Sequence, residues 1–304
     1  MKKTIWFLLP QQAPNLIGGT APLARLGASV LTRISLEAFA KSFQSTYRTF
    51  GAMIVIVVTG HMNFFRSRYF RLCGFLLVLL QLSSAQQVSF RITPVRPVQA
   101  LRAEALRKQP PHEQGAFLKS DLVELVKLDP TIKLDIRYAT TNNFLGTPVY
   151  TQARAFLQRP AAEALLRAHR ELKGQGYGLI IHDGYRPWYI TKIFWDAVPN
   201  DKKIFVADPT EGSKHNRGCA VDLSLYDLKT GKEVTMPSGY DEMTVRAYAD
   251  YAGGTVEERE RRAILRQAME KQGFKVIPKE WWHFDYQDWK QYPIMNVKFE
   301  DLGQ

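Results

Sequence analysis

The chain has 304 residues, 45% hydrophobic and 23% charged, a balance that provides a globular core and excludes wholesale disorder. Its formal net charge of +12 does not make it a nucleic-acid binder, because most of the excess lies outside the part expected to fold. Residues 1–85 hold nine of the 41 Lys/Arg and one of the 29 acidic residues, leaving 32 basic against 28 acidic for the remainder.

Residues 1–61 carry a single acidic side chain, Glu37, and an apolar run over 52–58 that is too short to span a bilayer. Residues 62–71 then read as the basic n-region of a secretory signal, 72–82 as its apolar h-region, and Ser83-Ser84-Ala85 as a small-residue cleavage site. A signal peptide is expected over 62–85, with Met62 as the true start and 1–61 an extension outside the mature protein. Cleavage would leave no stable membrane anchor and send the protein to the periplasm or outside the cell. The alternative is an uncleaved N-terminal segment that anchors the chain. Cys73 precedes the h-region, which argues against a lipoprotein.

Pro94, Pro97, Pro110 and Pro111 mark 86–116 as a linker with one short helix over 100–108, and the globular domain is expected over 117–304. Strands are predicted at 122–128 and 132–138, separated by an Asp129-Pro130 turn. Apolar Ala161, Leu165, Ala168 and Leu172 predict a helix over 160–173, started by Pro160 and ended by Gly174. A strand at 177–182 leads into Asp183-Gly-Tyr-Arg-Pro187, followed by a helix over 188–197 and a loop over 199–212. A strand at 218–226, a hairpin turn at 228–232, an amphipathic helix at 256–272 and strands at 274–277 and 280–286 complete the chain. Helices and strands are mixed without regular βαβ alternation, so the fold class is α+β, a small mixed or antiparallel sheet with flanking helices.

Three stretches carry chemistry: His215 with Asp222, Glu280-Trp-Trp-His283, and Tyr185-Arg186-Pro187. Asp222 is bracketed by Ala220, Val221 and Leu223, and a carboxylate in so apolar a strand is costly unless paired or bound to a metal. A hydrolytic zinc takes three protein ligands and keeps one position open, and His215, Asp222 and His283 offer two imidazoles and a carboxylate. Glu280 then remains as a general base acting on water. On a regular strand Glu280 and His283 would face opposite ways, so a kink or bulge would have to bring them together. His182, beside Asp183 at a strand end, is the main competitor as a ligand, and each residue taken singly has an ordinary structural reading. Cys219 reads as a small buried strand residue before it reads as a nucleophile.

Taken together, Ser213-x-His215-x-x-Gly218-x-Ala220-x-Asp222 and Glu280-x-x-His283 resemble the zinc D-Ala-D-Ala dipeptidases of the M15 type, relatives of the D,D-carboxypeptidases with a hedgehog-type zinc fold. Tyr138-Ala-Thr-x-x-Asn-Phe144, Asp183-Gly-Tyr-Arg-Pro187 and Tyr240-Asp241 match further family segments in order, with Tyr240 in place of the usual Phe and Tyr248 where a His often lies. The resemblance spans residues 117–303. It implies one Zn2+ per chain held by His215, Asp222 and His283, Glu280 as catalytic base, Arg186 as transition-state stabiliser, and Tyr138, Ser213 and Asp241 near the bound dipeptide. The substrate it implies is D-Ala-D-Ala, cleaved during cell-wall peptide turnover. Two other readings stay open: a D,D-carboxypeptidase acting on peptidoglycan stems, and a non-catalytic zinc-binding or cell-wall-binding module.

Overall fold

The computed structural model describes residues 90–302; the predicted extension at 1–61 and signal peptide at 62–85 lie outside the described residues. The folded part begins earlier than residue 117. Helix α1, Val98–Ala105, lies within the expected linker, and its Val98, Leu101 and Ala105 are buried in the common core. Three apolar residues spaced three and four apart put one face of this helix against the domain, so the Pro-rich composition around it misreads as linker.

The predicted strand at 122–128 is split. Residues Leu122–Glu124 form β1, and Leu125–Leu128 form a single helical turn, α2. Only Lys133–Leu134 of the predicted 132–138 strand pairs, as β2, and Arg137–Ala139 coil into a 3-10 turn. Phe156–Gln158 form β3, antiparallel to β1 in a small two-stranded sheet. Helix α3, Arg159–Lys173, carries its proline in the first turn and buries Ala161, Leu165, Ala168 and Leu172, as its periodicity predicts.

The main sheet joins β2, β4 (Tyr177–Asp183), β5 (Ala220–Asp227), β7 (Glu280–Tyr286) and β6 (Phe274–Ile277) in that spatial order. The β2–β4 pair is parallel and the rest are antiparallel, which makes the domain α+β with a mixed sheet. Strand β5 sits at the centre, and Ala220 through Tyr226 are all buried. That explains its nearly unbroken apolar sequence, since both faces are covered. Helix α4, Trp188–Ala197, occupies the predicted span. Helix α5, Val256–Glu270, starts on a reciprocal capping box between Thr255 and Glu258.

Two irregularities in this sheet shape the site. Between β4 and β5 the register runs Ile181↔Leu223 and then Asp183↔Asp222, so His182 is the extra, bulged residue. Between β6 and β7 it runs Val276↔Phe284 and then Ile277↔Glu280, which leaves Trp281, Trp282 and His283 unmatched on that side. Both shifts occur where the strands approach Asp222.

Candidate metal centre and catalytic pocket

Asp222 lies on the central strand, directly opposite His283 across the β5–β7 ladder. The two motifs that are far apart in sequence are thus cross-strand neighbours. His215 arrives from a 3-10 turn, His215–Arg217, just before β5. Gly218 closes that turn with φ +68°, and its N–H donates to the His215 carbonyl. A Cβ at Gly218 would come within 2.5 Å of the Leu122 side chain, so both backbone and packing require glycine there.

Three ligand-type atoms converge as a result. Asp222 Oδ1 is 3.0 Å from His283 Nδ1 and 3.3 Å from His215 Nε2, and the two imidazole nitrogens are 3.1 Å apart. The outer nitrogen of each ring is held. His215 Nδ1–H donates to the Gly184 carbonyl at 2.7 Å, and His283 Nε2–H donates to Asp285 Oδ1 at 2.8 Å. These acceptors fix the tautomers and turn a lone pair of each ring inward. Asp222 Oδ1 is buried with no hydrogen-bond donor. Two lone pairs and a carboxylate oxygen facing one another repel unless a cation lies between them, so the donor set fits a metal ion. Burial by itself would lower the His283 imidazole, yet Asp222 and Asp285 outweigh it and push it up to about 10; a metal ion between the three groups would displace the proton that this favours. Burial would likewise raise Asp222, but the two imidazoles hold it well below the usual carboxylate range.

Glu280 reaches the same centre, with Oε2 3.7 Å from His283 Nδ1. The register shift between β6 and β7 is what allows residues three apart on one strand to meet. Burial pushes the Glu280 carboxyl up to about 7, against the pull of His283. A carboxyl tuned toward neutrality beside a metal-type site is suited to proton transfer.

Arg186 is buried beside this group. Its Nε donates to Asp183 Oδ2 at 2.9 Å, and its Nη2 lies 2.7 Å from the same oxygen and 3.7 Å from Asp222 Oδ2. Asp183 in turn accepts from Tyr150 Oη at 2.7 Å and from the Gly184 amide at 2.9 Å. The His182 bulge sets Asp183 opposite Asp222, and this brings the guanidinium to the metal-type cluster.

Arg186, His215, Asp222, Glu280 and His283 line one cavity of about 310 Å3. Asp241, on its wall, takes φ +60°, the left-handed region that non-glycine residues rarely occupy outside constrained sites. Tyr138 Oη donates to Asp241 Oδ1 at 3.0 Å, while Asp241 Oδ2 is buried and unpartnered. Burial and the neighbouring Asp222 raise this carboxyl well above its usual range. A ligand cation would satisfy Oδ2 and draw the carboxyl back to its ionised form. The Ser213 hydroxyl accepts from the His215 N–H at 3.2 Å, so it braces the 3-10 turn that carries His215 as well as lining the cavity.

His182 is not part of this cluster. Among the described residues, two groups of His and carboxylate side chains bring ligand atoms within 4.8 Å of one another. The second is Asp135, His182 and Glu233, and there the Arg137 guanidinium occupies the space between the carboxylates. Cys219 is fully buried and its thiol is pushed up to about 12, chiefly by burial, which removes it as a nucleophile. Sequence reasoning assigned no role to Asp183, Asp285 or Tyr240. Asp285 had a usable signal: two residues past His283 on a strand, it shares the same face.

Comparison with known proteins places the chain in a family. Residues 119–301 match the peptidase M15 family, described as D-Ala-D-Ala dipeptidase. The chain is 34% identical over 180 residues to the D-alanyl-D-alanine dipeptidase of Escherichia coli (strain K12), covering 59% of this chain and 92% of that protein. It is 38% identical over 180 residues to the enzyme of that name from Enterococcus faecium, covering 53% and 89% of the two chains. With the counterpart from Enterococcus faecalis (strain ATCC 700802 / V583) it shares 36% identity over 189 residues, covering 55% and 92%. The chain therefore belongs to the D-Ala-D-Ala dipeptidase family of peptidases.

Proposed function

We propose that this protein is a zinc-dependent dipeptidase that hydrolyses D-Ala-D-Ala to two D-Ala in the turnover of cell-wall peptides. The observation that carries the reading is the convergence of His215 Nε2, Asp222 Oδ1 and His283 Nδ1 on one point, with Glu280 and Arg186 beside it. Those three atoms would hold the metal. Zinc, when bound, supplies a Lewis acid that activates water and polarises a carbonyl.

The chain's own residues do the rest. Glu280 accepts a proton from the attacking water as its oxygen bonds to the scissile carbonyl carbon. As the C–N bond breaks, Glu280 returns that proton to the departing amine. The Arg186 guanidinium, fixed by Asp183, faces the developing oxyanion, where a preorganised charge lowers the barrier by about 3 kcal/mol. Asp241 Oδ2 offers a partner for the substrate's ammonium group, and Tyr138 holds that carboxylate in place. A zwitterionic dipeptide needs such a buried counter-charge for its amine.

The test is release of D-Ala from D-Ala-D-Ala by the purified protein, before and after zinc removal with a chelator. Activity lost on chelation and restored by Zn2+ is the expected result. Hydrolysis of a stem pentapeptide with no cleavage of the free dipeptide would replace this reading with a D,D-carboxypeptidase.

A further inference from the structure

Asp222 has two oxygens, and they have different surroundings. Oδ1 faces the two imidazoles, at 3.0 and 3.3 Å. Oδ2 accepts a hydrogen bond of 3.0 Å from Tyr240 Oη. Arg186 Nη2 stands farther off, 3.7 Å from the same oxygen. The shortest contact that decides which oxygen faces the imidazoles therefore comes from Tyr240.

Tyr240 itself is clamped. It is buried, and the His182 ring stacks on it with centroids 4.6 Å apart and planes inclined by 21°. The Arg137 guanidinium carbon lies 5.8 Å from the ring centre, and the Trp282 ring meets it edge-on at 5.5 Å. His182 is in turn set between two carboxylates, with Nδ1 3.5 Å from Asp135 and Nε2 3.3 Å from Glu233. Arg137 binds the same two carboxylates, at 2.8 Å and 3.4 Å. Two cationic side chains thus already answer two anions. A metal ion there would compete with the guanidinium, so this group reads as a buried ion cluster that supports the Tyr240 ring rather than as a second metal centre.

We propose that Tyr240 is a positioning residue for the metal ligand Asp222: its hydroxyl anchors Oδ2, so that Oδ1 alone is presented to the ion, and the His182 ring fixes the angle from which it does so. The inference rests on the zinc reading above and adds to it a hydrogen-bond partner of the ligand that the dipeptidase chemistry does not require directly. A ligating carboxylate that loses its outer hydrogen bond is free to rotate, and outer partners of this kind typically change metal affinity by about 10- to 100-fold.

The experiment measures Zn2+ affinity of the full chain by competition with a chromophoric chelator, for wild type, Tyr240→Phe, His182→Asn and the double variant. Tyr240→Phe is expected to weaken zinc binding by about 10- to 100-fold while the thermal midpoint of the metal-free protein stays close to wild type. His182→Asn is expected to weaken zinc binding several-fold in the wild-type background and to have no further effect once the Tyr240 hydroxyl is gone. Wild-type affinity in Tyr240→Phe would overturn the anchoring role. An equal effect of His182→Asn in both backgrounds would overturn the part assigned to the stacked ring. If the wild-type chain itself binds no zinc, the zinc reading fails, an outcome distinct from either of these.

Discussion

Replacing Asp183 with Asn isolates the contact that holds Arg186. The side chain is 1% exposed, and its two oxygens have separate partners. Oδ1 accepts from Tyr150 and the Gly184 amide, and an Asn side-chain oxygen preserves both bonds. Oδ2 accepts from Arg186 Nε at 2.9 Å with Nη2 at 2.7 Å, and in Asn that position becomes an NH2 group aimed at donors. Of its two ion-pair partners the guanidinium would keep only Asp222 Oδ2, at 3.7 Å, beside the Phe194 and Tyr138 rings. Removing one partner of a buried ion pair costs about 3–5 kcal/mol. The residual attraction of Asp222 places the expected loss at the lower end, about 3 kcal/mol, measured by urea unfolding of wild type and variant. A displaced Arg186 also no longer faces the oxyanion, and kcat for D-Ala-D-Ala is expected to fall by about 100- to 1,000-fold with a smaller change in KM. A stability loss below about 1 kcal/mol together with near-wild-type kcat would show that Asp183 neither orients Arg186 nor offsets its burial.

Glu280→Gln keeps the size of the side chain but removes the base; zinc binding by chelator competition should persist while kcat falls by about 100- to 10,000-fold, and full turnover would remove Glu280 from the chemistry. The His182 cluster gives a pH signature in stability. Burial alone would lower this imidazole, but Asp135 and Glu233 outweigh it and bring it up to about 9. Because the folded value is raised, the stabilising contribution is complete below the unfolded value near 6.5 and is lost as pH rises toward about 9. Denaturation of wild type and His182→Gln across this window should show their stability difference shrink as pH rises, by an amount on the order of 3 kcal/mol. A difference independent of pH would show that His182 is neutral in its cluster.

Much of the local structure was legible from residue pattern. Apolar spacing at Ala161, Leu165, Ala168 and Leu172 placed helix α3 to within a residue at its start, and α4 occupies its predicted span. The pattern was misleading where elements are short. Residues 122–128 are mostly apolar and read as one strand, yet the chain coils at 125–128: the Leu125 N–H still bonds to the Ala155 carbonyl, one position past the Glu124↔Phe156 pair, and the Asp129 N–H then closes a helical turn on the Leu125 carbonyl. Residues 98–105 sit among prolines yet form a core helix, because burial of Val98, Leu101 and Ala105 outweighs what the flanking composition favours.

The same division runs through the site. An Asp flanked by Ala220, Val221 and Leu223 demands a cation from composition alone, since a charge in so apolar a strand cannot stand unpaired. His215, His283, Glu280 and Arg186 are visible by type and spacing as the groups that chemistry would use. What the tertiary structure alone decided is how they meet. The β5–β7 register sets Asp222 opposite His283, the shift beside Ile277 turns Glu280 to the same side, and the His182 bulge brings Asp183 and hence Arg186 alongside. Strand register and bulges depend on which strand lies next door, and that neighbour is 61 residues away in the chain for Asp222 and His283. The hydroxyl of Tyr240 and the carboxylate of Asp285 take their roles for the same reason: each acts on a ligand that only folding brings within hydrogen-bonding distance or fixes in orientation.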